Sequence, residues 1–234
     1  MALLQAGGFT KAYYGLLVGC PVMVKLVERP QIAQSKQPAA LDLHKNTLQL
    51  QHPNLVKTYR YVEKEKHDGW ASQEEETLQT WIVQEWCELG TLATVCKTCR
   101  TNSHGEQEVI HIINDIARAG KYLHQKELLH GDLNPTNVLL KRKLSRRGFT
   151  CKVCAVGLRR SFEIEMGSDS LGGHLAYMPP EVFREGSSLT KKADVYAVGV
   201  IMFELVVGRP PFEGLSPQQV VQTVARGTGL QLPE

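Results

Sequence analysis

A change in hydrophobic period near residue 86 is the strongest constraint on how this chain can fold. Before it, short apolar segments at 1–5, 11–17, 22–27, 55–62 and 79–85 are broken by Ala6-Gly7-Gly8 and Val18-Gly19-Cys20-Pro21, the punctuation of a strand meander. One helical pattern interrupts them at 39–50, with Leu41, Leu48 and Leu50 among polar residues. His52-Pro53-Asn54 stops it, because proline disfavours helical backbone at the residue before it. The polar, glutamate-rich stretch 63–76 reads as a connecting loop. After residue 86 the period becomes helical. Val109, Ile112, Ile113, Ile116 and Leu123 share one helix face, and Val195, Val198, Ile201, Met202 and Leu205 share another. The second pattern ends at Gly208-Arg209-Pro210-Pro211, and a last helix is expected over 217–225.

Strands first and helices afterwards predict an α+β protein. Its small lobe, 1–86, would hold a five-stranded sheet and one helix, and its larger helical lobe would cover 87–234. Clefts between such units are common ligand sites, and Gln84-Glu85-Trp86-Cys87-Glu88-Leu89-Gly90 is the expected hinge. A net charge of +3 on 234 residues is too mild to argue for nucleic acid or a membrane surface. No apolar run is long enough to span a bilayer, and the first eight residues lack the charged start and apolar stretch of a signal peptide. A cytoplasmic, intracellular location is the expectation.

Cys96-Lys97-Thr98-Cys99 and Cys151-Lys152-Val153-Cys154 are C-x-x-C pairs, and four thiolates would suffice for zinc. In a strand, however, residues three apart point to opposite faces, so Cys151 and Cys154 are badly placed to chelate together. All six cysteines read as free thiols of a reducing compartment, with a zinc-binding adaptor as a minor reading.

The chemistry is concentrated in His130-Gly131-Asp132-Leu133-Asn134-Pro135-Thr136-Asn137. It resembles the catalytic loop of eukaryotic protein kinases, H-R-D-L-x-x-x-N, with Gly131 in place of Arg. Further motifs follow in the family's order. Val22-Met23-Val24-Lys25 is similar to V-A-I-K, and His52-Pro53-Asn54 to the turn after the first helix. Ile82-Val83-Gln84-Glu85-Trp86 is similar to the hinge strand, with Gln84 as gatekeeper. Met178-Pro179-Pro180-Glu181 resembles A-P-E, and Asp194-Val195-Tyr196-Ala197-Val198-Gly199 resembles the opening of the long buried helix. The wording is closest to tyrosine-kinase-like serine/threonine kinases. The resemblance implies a bilobal kinase fold whose last large-lobe helices are missing after Glu234, leaving Glu181 without its arginine and an apolar surface uncovered.

The resemblance also assigns roles. Asp132 would accept the substrate hydroxyl's proton, and Asn137 would ligate Mg²⁺. ATP would be held by Gly7, Gly8, Lys25, Glu85, Cys87, Asn137 and Leu139, with the backbone of Glu85 and Cys87 against adenine.

Several family residues are replaced. The glycine-rich loop aligns with Gln5-Ala6-Gly7-Gly8-Phe9-Thr10, where only the middle glycine survives. The glutamate that should pair with Lys25 falls at Leu43, with Asp42 one place off and ~100° round the helix. Ala155-Val156-Gly157 stands for D-F-G, so the carboxylate bridging metal and phosphates is a methyl group. Asn134 replaces a lysine, and His174 stands where a threonine hydroxyl would lie near Asp132. His130 and Asp194 read as structural, and 141–147 as a solvated basic hairpin tip, with docking of an acidic partner as its minor reading. The expected function is a pseudokinase that signals by binding proteins and, weakly, ATP and Mg²⁺. The alternative is an active but slow ATP-dependent serine/threonine kinase.

Overall fold

The computed structural model describes residues 1–7, 10–30, 48–66, 77–98, 105–154, 172–183 and 189–230. They form two compact units. One comprises Met1–Gln51 and Val56–Trp86, the other His52–Leu55 and Cys87–Glu234.

The first unit is a five-stranded antiparallel sheet. Its strands are β1 (Ala2–Gly7), β2 (Thr10–Leu17), β3 (Cys20–Pro30), β4 (Thr58–Lys66) and β5 (Thr77–Glu85). They lie in the order β1-β2-β3-β5-β4, so β4 sits at an edge although it precedes β5 in the chain. On β3, Val22, Val24 and Leu26 alternate into the core, while Met23 and Lys25 on the opposite face are half-buried. Val18-Gly19 closes the β2–β3 hairpin with both residues at positive φ, 50° and 78°, the backbone of a type I′ turn. Across three strands, Glu28 accepts from Lys11 Nζ and from Gln79 Nε2, each at 2.8 Å.

Two local expectations change. Residues 63–66 belong to β4, whose edge position lets charged side chains face water while the backbone pairs with β5. Leu48 and Gln49 form a turn; the rest of the helical pattern at 39–47, with Asp42 and Leu43, lies outside the described residues.

The second unit contains α1 (Leu92–Thr98), α2 (Glu106–Gln125), hairpin strands β6 (Val138–Arg142) and β7 (Phe149–Val153), α3 (Gly172–Leu175), α4 (Lys191–Val207) and α5 (Pro217–Ala225). Helix α2 buries Val109, Ile112, Ile116, Ala119 and Leu123 along one face and packs on α4 and β7. Helix α4 is apolar all round and stops at Gly208, whose φ of 69° no β-branched residue adopts cheaply. It buries Ala197, Val200, Ile201 and Leu205 but leaves Val195, Met202 and Val206 exposed. Pro217 and a reciprocal Ser216–Gln219 capping box start α5, which buries Val220 and Val224 against Leu175 and Ala176.

His52–Leu55 joins this unit by lying along β7. The Val153 N–H donates to Asn54 O (2.8 Å), Asn54 Nδ2 donates to Cys151 O (3.0 Å), and the His52 ring stacks on Tyr122 at 5.0 Å. The short turn that ends a helical pattern in sequence is thus an added edge segment in space.

Candidate active site in the loop after helix α2

The loop after α2 is set from below by one buried carboxylate. Asp194, in the first turn of α4 and 4% exposed, accepts the backbone N–H groups of His130 (3.0 Å) and Gly131 (2.9 Å). His124 Nε2, in the last turn of α2, donates to the same carboxylate at 2.7 Å. Gly131 has φ +74°, the left-handed region that glycine enters at least cost. His130 is fully buried: Nε2 donates to Cys154 O (2.9 Å) and Nδ1 accepts from the Asp132 N–H (3.3 Å), which defines its tautomer. Both residues are structural, as their sequence context suggests.

Above this scaffold the loop turns Asp132 outward. Asn134 caps the short 3-10 turn Pro135–Asn137, its side-chain oxygen accepting from Thr136 N (2.9 Å) and Thr136 Oγ1 (2.6 Å). That fixes the amide orientation and aims Nδ2 at Asp132 O (3.0 Å), Asp132 Oδ1 (3.1 Å) and His174 Nδ1 (2.9 Å). Asn137 Nδ2 donates to Asp132 O (2.8 Å) and Oδ2 (3.0 Å). His174 Nδ1 also stands 3.3 Å from Asp132 Oδ1. An amide nitrogen has two hydrogens for these three acceptors, and its 2.9 Å approach makes His174 Nδ1 an acceptor. Both carboxylate oxygens of Asp132 are therefore held by neutral amides. The side chain keeps 11% exposure.

A buried loop of this sequence, with a carboxylate positioned by an asparagine five residues on, is the geometry to compare with known proteins. The model of one family, protein tyrosine and serine/threonine kinase, matches residues 1–234. The chain is a member of the protein kinase family. It is 28% identical over 92% of its length to serine/threonine-protein kinase ATG1a of Arabidopsis thaliana. It is 29% identical over 85% to serine/threonine-protein kinase ULK1 of Homo sapiens, and 31% identical over 75% to serine/threonine-protein kinase RUNKEL of Arabidopsis thaliana. The chain spans 32%, 18% and 12% of those relatives' lengths.

The other kinase motif residues divide by unit. In the sheet, Lys25 pairs with Ala12 and Ile82, which places it on the face of β3 that also carries Met23, opposite Gln84. Gln84 is buried and donates to Thr58 Oγ1 at 3.3 Å; among the described residues its side-chain oxygen has no partner. Glu85 is buried at the end of β5, its N–H donating to Lys57 O (2.8 Å) and its carboxylate accepting from Lys57 N (3.3 Å). Gly7 lies in β1 opposite Thr10.

In the second unit, Cys87 is buried, and buried Leu139 on β6 pairs with Lys152 and bridges to Thr91. Gly8, Ala155, Val156 and Gly157 lie outside the described residues. Glu181 has a neighbour other than the arginine that the family would supply. It faces Tyr196, whose phenol is raised above its usual range first by burial and then by that carboxylate. Cys151 is buried, and desolvation pushes its thiol up to about 12. Among the described residues no cluster of three His, Cys, Asp or Glu is placed to hold a metal ion.

Two members of the site carry no motif signature of their own. Thr136 locks the Asn134 amide, and Asn-Pro-Thr is legible in hindsight as a helical N-cap followed by proline. His124 is one polar position among many on α2, and nothing in its neighbours marks it as Asp194's partner.

Proposed function

We propose that this is a serine/threonine-type kinase domain impaired in phosphoryl transfer, which acts in intracellular signalling through protein partners and weak ATP binding. On this reading 1–86 is its small lobe and 87–234 its large lobe. The observation that carries it is Ala155, a methyl group where the family's D-F-G motif supplies the carboxylate for Mg²⁺. Mg²⁺ needs near-octahedral oxygen ligation. Asn137 can offer only a neutral amide oxygen, its nitrogen being committed to Asp132. This donor set does not fit a tightly held Mg²⁺.

Neutral groups at Asp132 point the same way. The lysine expected at Asn134 would oppose the charge of a transferring phosphoryl group, whereas an amide supplies a dipole. Kinases turn over at ~1–100 s⁻¹, and each lost charge-stabilising contact costs about 10²–10³. Two such losses acting independently leave about 10⁻² s⁻¹ or less, and any overlap between them raises that figure.

The partly exposed Asp132 carboxylate, positioned by Asn137, favours a second reading as a slow active kinase. Phosphotransfer to a generic basic substrate separates the two. Turnover near 1 s⁻¹ that disappears in Asp132→Asn would establish an active kinase. The proposal expects trace turnover, a small ATP-induced thermal shift that does not grow with Mg²⁺, and a larger Mg²⁺-dependent shift in Ala155→Asp.

A further inference from the structure

The β6–β7 hairpin carries a feature that the kinase site does not use. Its strands are pinned. Leu89 N–H donates to Leu140 O (3.1 Å), Leu140 N–H to Gly90 O (2.9 Å), and Arg142 N–H to Glu88 Oε1 (3.1 Å). Beyond Arg142 the chain leaves the body in a tip, Lys143-Leu144-Ser145-Arg146-Arg147-Gly148, closed by Lys143 N to Gly148 O and Gly148 N to Ser145 O, each 2.9 Å.

Two observations make this tip unlike an ordinary solvated turn. First, its cations sort into two kinds. Arg147 is folded back, paired with Asp115 and lying over the Phe149 ring at 4.5 Å. Arg142, Lys143 and Arg146 stay exposed, with Glu88 the carboxylate beside them, at the Arg142 backbone. Secondly, Leu144 is fully exposed at the apex, an apolar side chain the fold does not cover, and the next residue is an exposed serine. The order is therefore cation, cation, apolar residue, hydroxyl, cation, on a segment held by its own turn and, at its far end, by Arg147.

We propose that Ser145 is a phosphorylation site for a separate serine kinase whose peptide groove is lined with carboxylates. Such a groove recognises Arg142 and Lys143 by charge, and a shallow apolar depression takes Leu144. Three backbone hydrogen bonds inside the tip, with the Arg147 anchor on Asp115 and Phe149 at its far end, are what resist its extension into that groove. In the transfer, the γ-phosphoryl group of ATP passes to Ser145 Oγ. A P–O bond forms as the bond to ADP breaks, and the hydroxyl proton goes to the second kinase's base. The product carries about −2 beside Lys143 and Arg146, close enough for charge-assisted hydrogen bonds that turn a basic tip into a near-neutral one. This assignment is independent of whether the domain itself transfers phosphate.

The test uses the folded chain with Mg-ATP and the catalytic subunit of cyclic-AMP-dependent protein kinase, a serine kinase selective for residues preceded by cations. Intact mass and peptide mapping should place phosphate at Ser145 and remove it in Ser145→Ala. Arg142→Ala with Lys143→Ala should slow labelling by about tenfold or more, as expected for losing two charge contacts.

Labelling confined to other serines, or equal in Ser145→Ala, overturns the proposal. So does labelling of a free 139–149 peptide when the folded chain stays unlabelled, because the fold would then withhold the hydroxyl. Phosphate appearing without the added kinase would overturn the assignment to a second enzyme. Retention on a polyanion that depends on Arg142 and Lys143, with Ser145 unlabelled, would make the tip an anion-binding surface instead.

Discussion

The two sides of the loop around Asp132 have diverged in kind. The inner side is a buried frame in which Asp194 holds His130, Gly131 and His124, and His130 in turn holds Cys154. Every group there has its partner, and each bond serves packing. The outer side holds the Asp132 carboxylate with two amides, and the His174 imidazole lies against one of them. A buried polar frame cannot lose a member without stranding the others, whereas on the outer side Asn134, itself buried, is an amide where the motif it resembles carries a cation. Framework and chemistry thus come apart in the same eight residues.

Removing Asp194 should break this contrast most sharply. Asp194→Ala strands two backbone N–H groups and His124 and should cost about 3–5 kcal/mol in urea denaturation, the range for breaking a buried ionic network. A cost below about 1 kcal/mol would mean that the inner side is no more demanding than the outer. Asn134→Ala removes the cap of the 3-10 turn and should cost about 1–2 kcal/mol. His174→Ala should stay within about 0.5–1.5 kcal/mol, the worth of an ordinary hydrogen bond. Equal losses for Asp194→Ala and His174→Ala would end the distinction.

Backbone strain sharpens the comparison at two residues with φ > 0. Gly131 has room for a methyl group, its nearest contact being Leu189 Cδ2 at 3.6 Å, so Gly131→Ala should cost about 1–2 kcal/mol through conformation alone. Val18, 96% exposed at φ 50°, loses no packing on replacement. Val18→Asn should therefore stabilise by about 1 kcal/mol, seen as a raised Tm.

The smallest effect concerns pH. His52 has its pKa lowered by burial and then by Lys152 and Arg118, and its Nδ1 accepts from Asn54 N at 3.1 Å. The unfolded chain, with a histidine near 6.5, binds the proton first. Stability from this residue is thus present above about pH 6.5 and is lost as pH falls from there towards the folded value. The difference in Tm between pH 7.5 and 5.5 should shrink in His52→Gln, and an unchanged difference would place the titrating group elsewhere.

Much of this was legible before the fold was seen, wherever the signal was local. Helix α5 spans Pro217–Ala225 as expected, since Ser216, Pro217 and Gln219 form its start within a few residues. The charged residues 63–66 of β4 carry no strand pattern of their own, and only pairing with β5 shows that the backbone continues. Asn134 could be read as a substitution in a motif, but not as a cap locked by Thr136 and turned towards His174.

Residue types and local spacing were enough to give the order of strands and helices, and the motif resemblance implies that Ala155 stands where the family carries a metal-binding carboxylate. They could not tell how the remaining carboxylate is answered. His174 reaches Asn134 from 40 residues away, and Asp194 reaches His130 from 64. Such bonds depend on how α3 and α4 pack, so their donors and acceptors are chosen in three dimensions, where a neutral amide and a buried carboxylate can be told apart by what surrounds them.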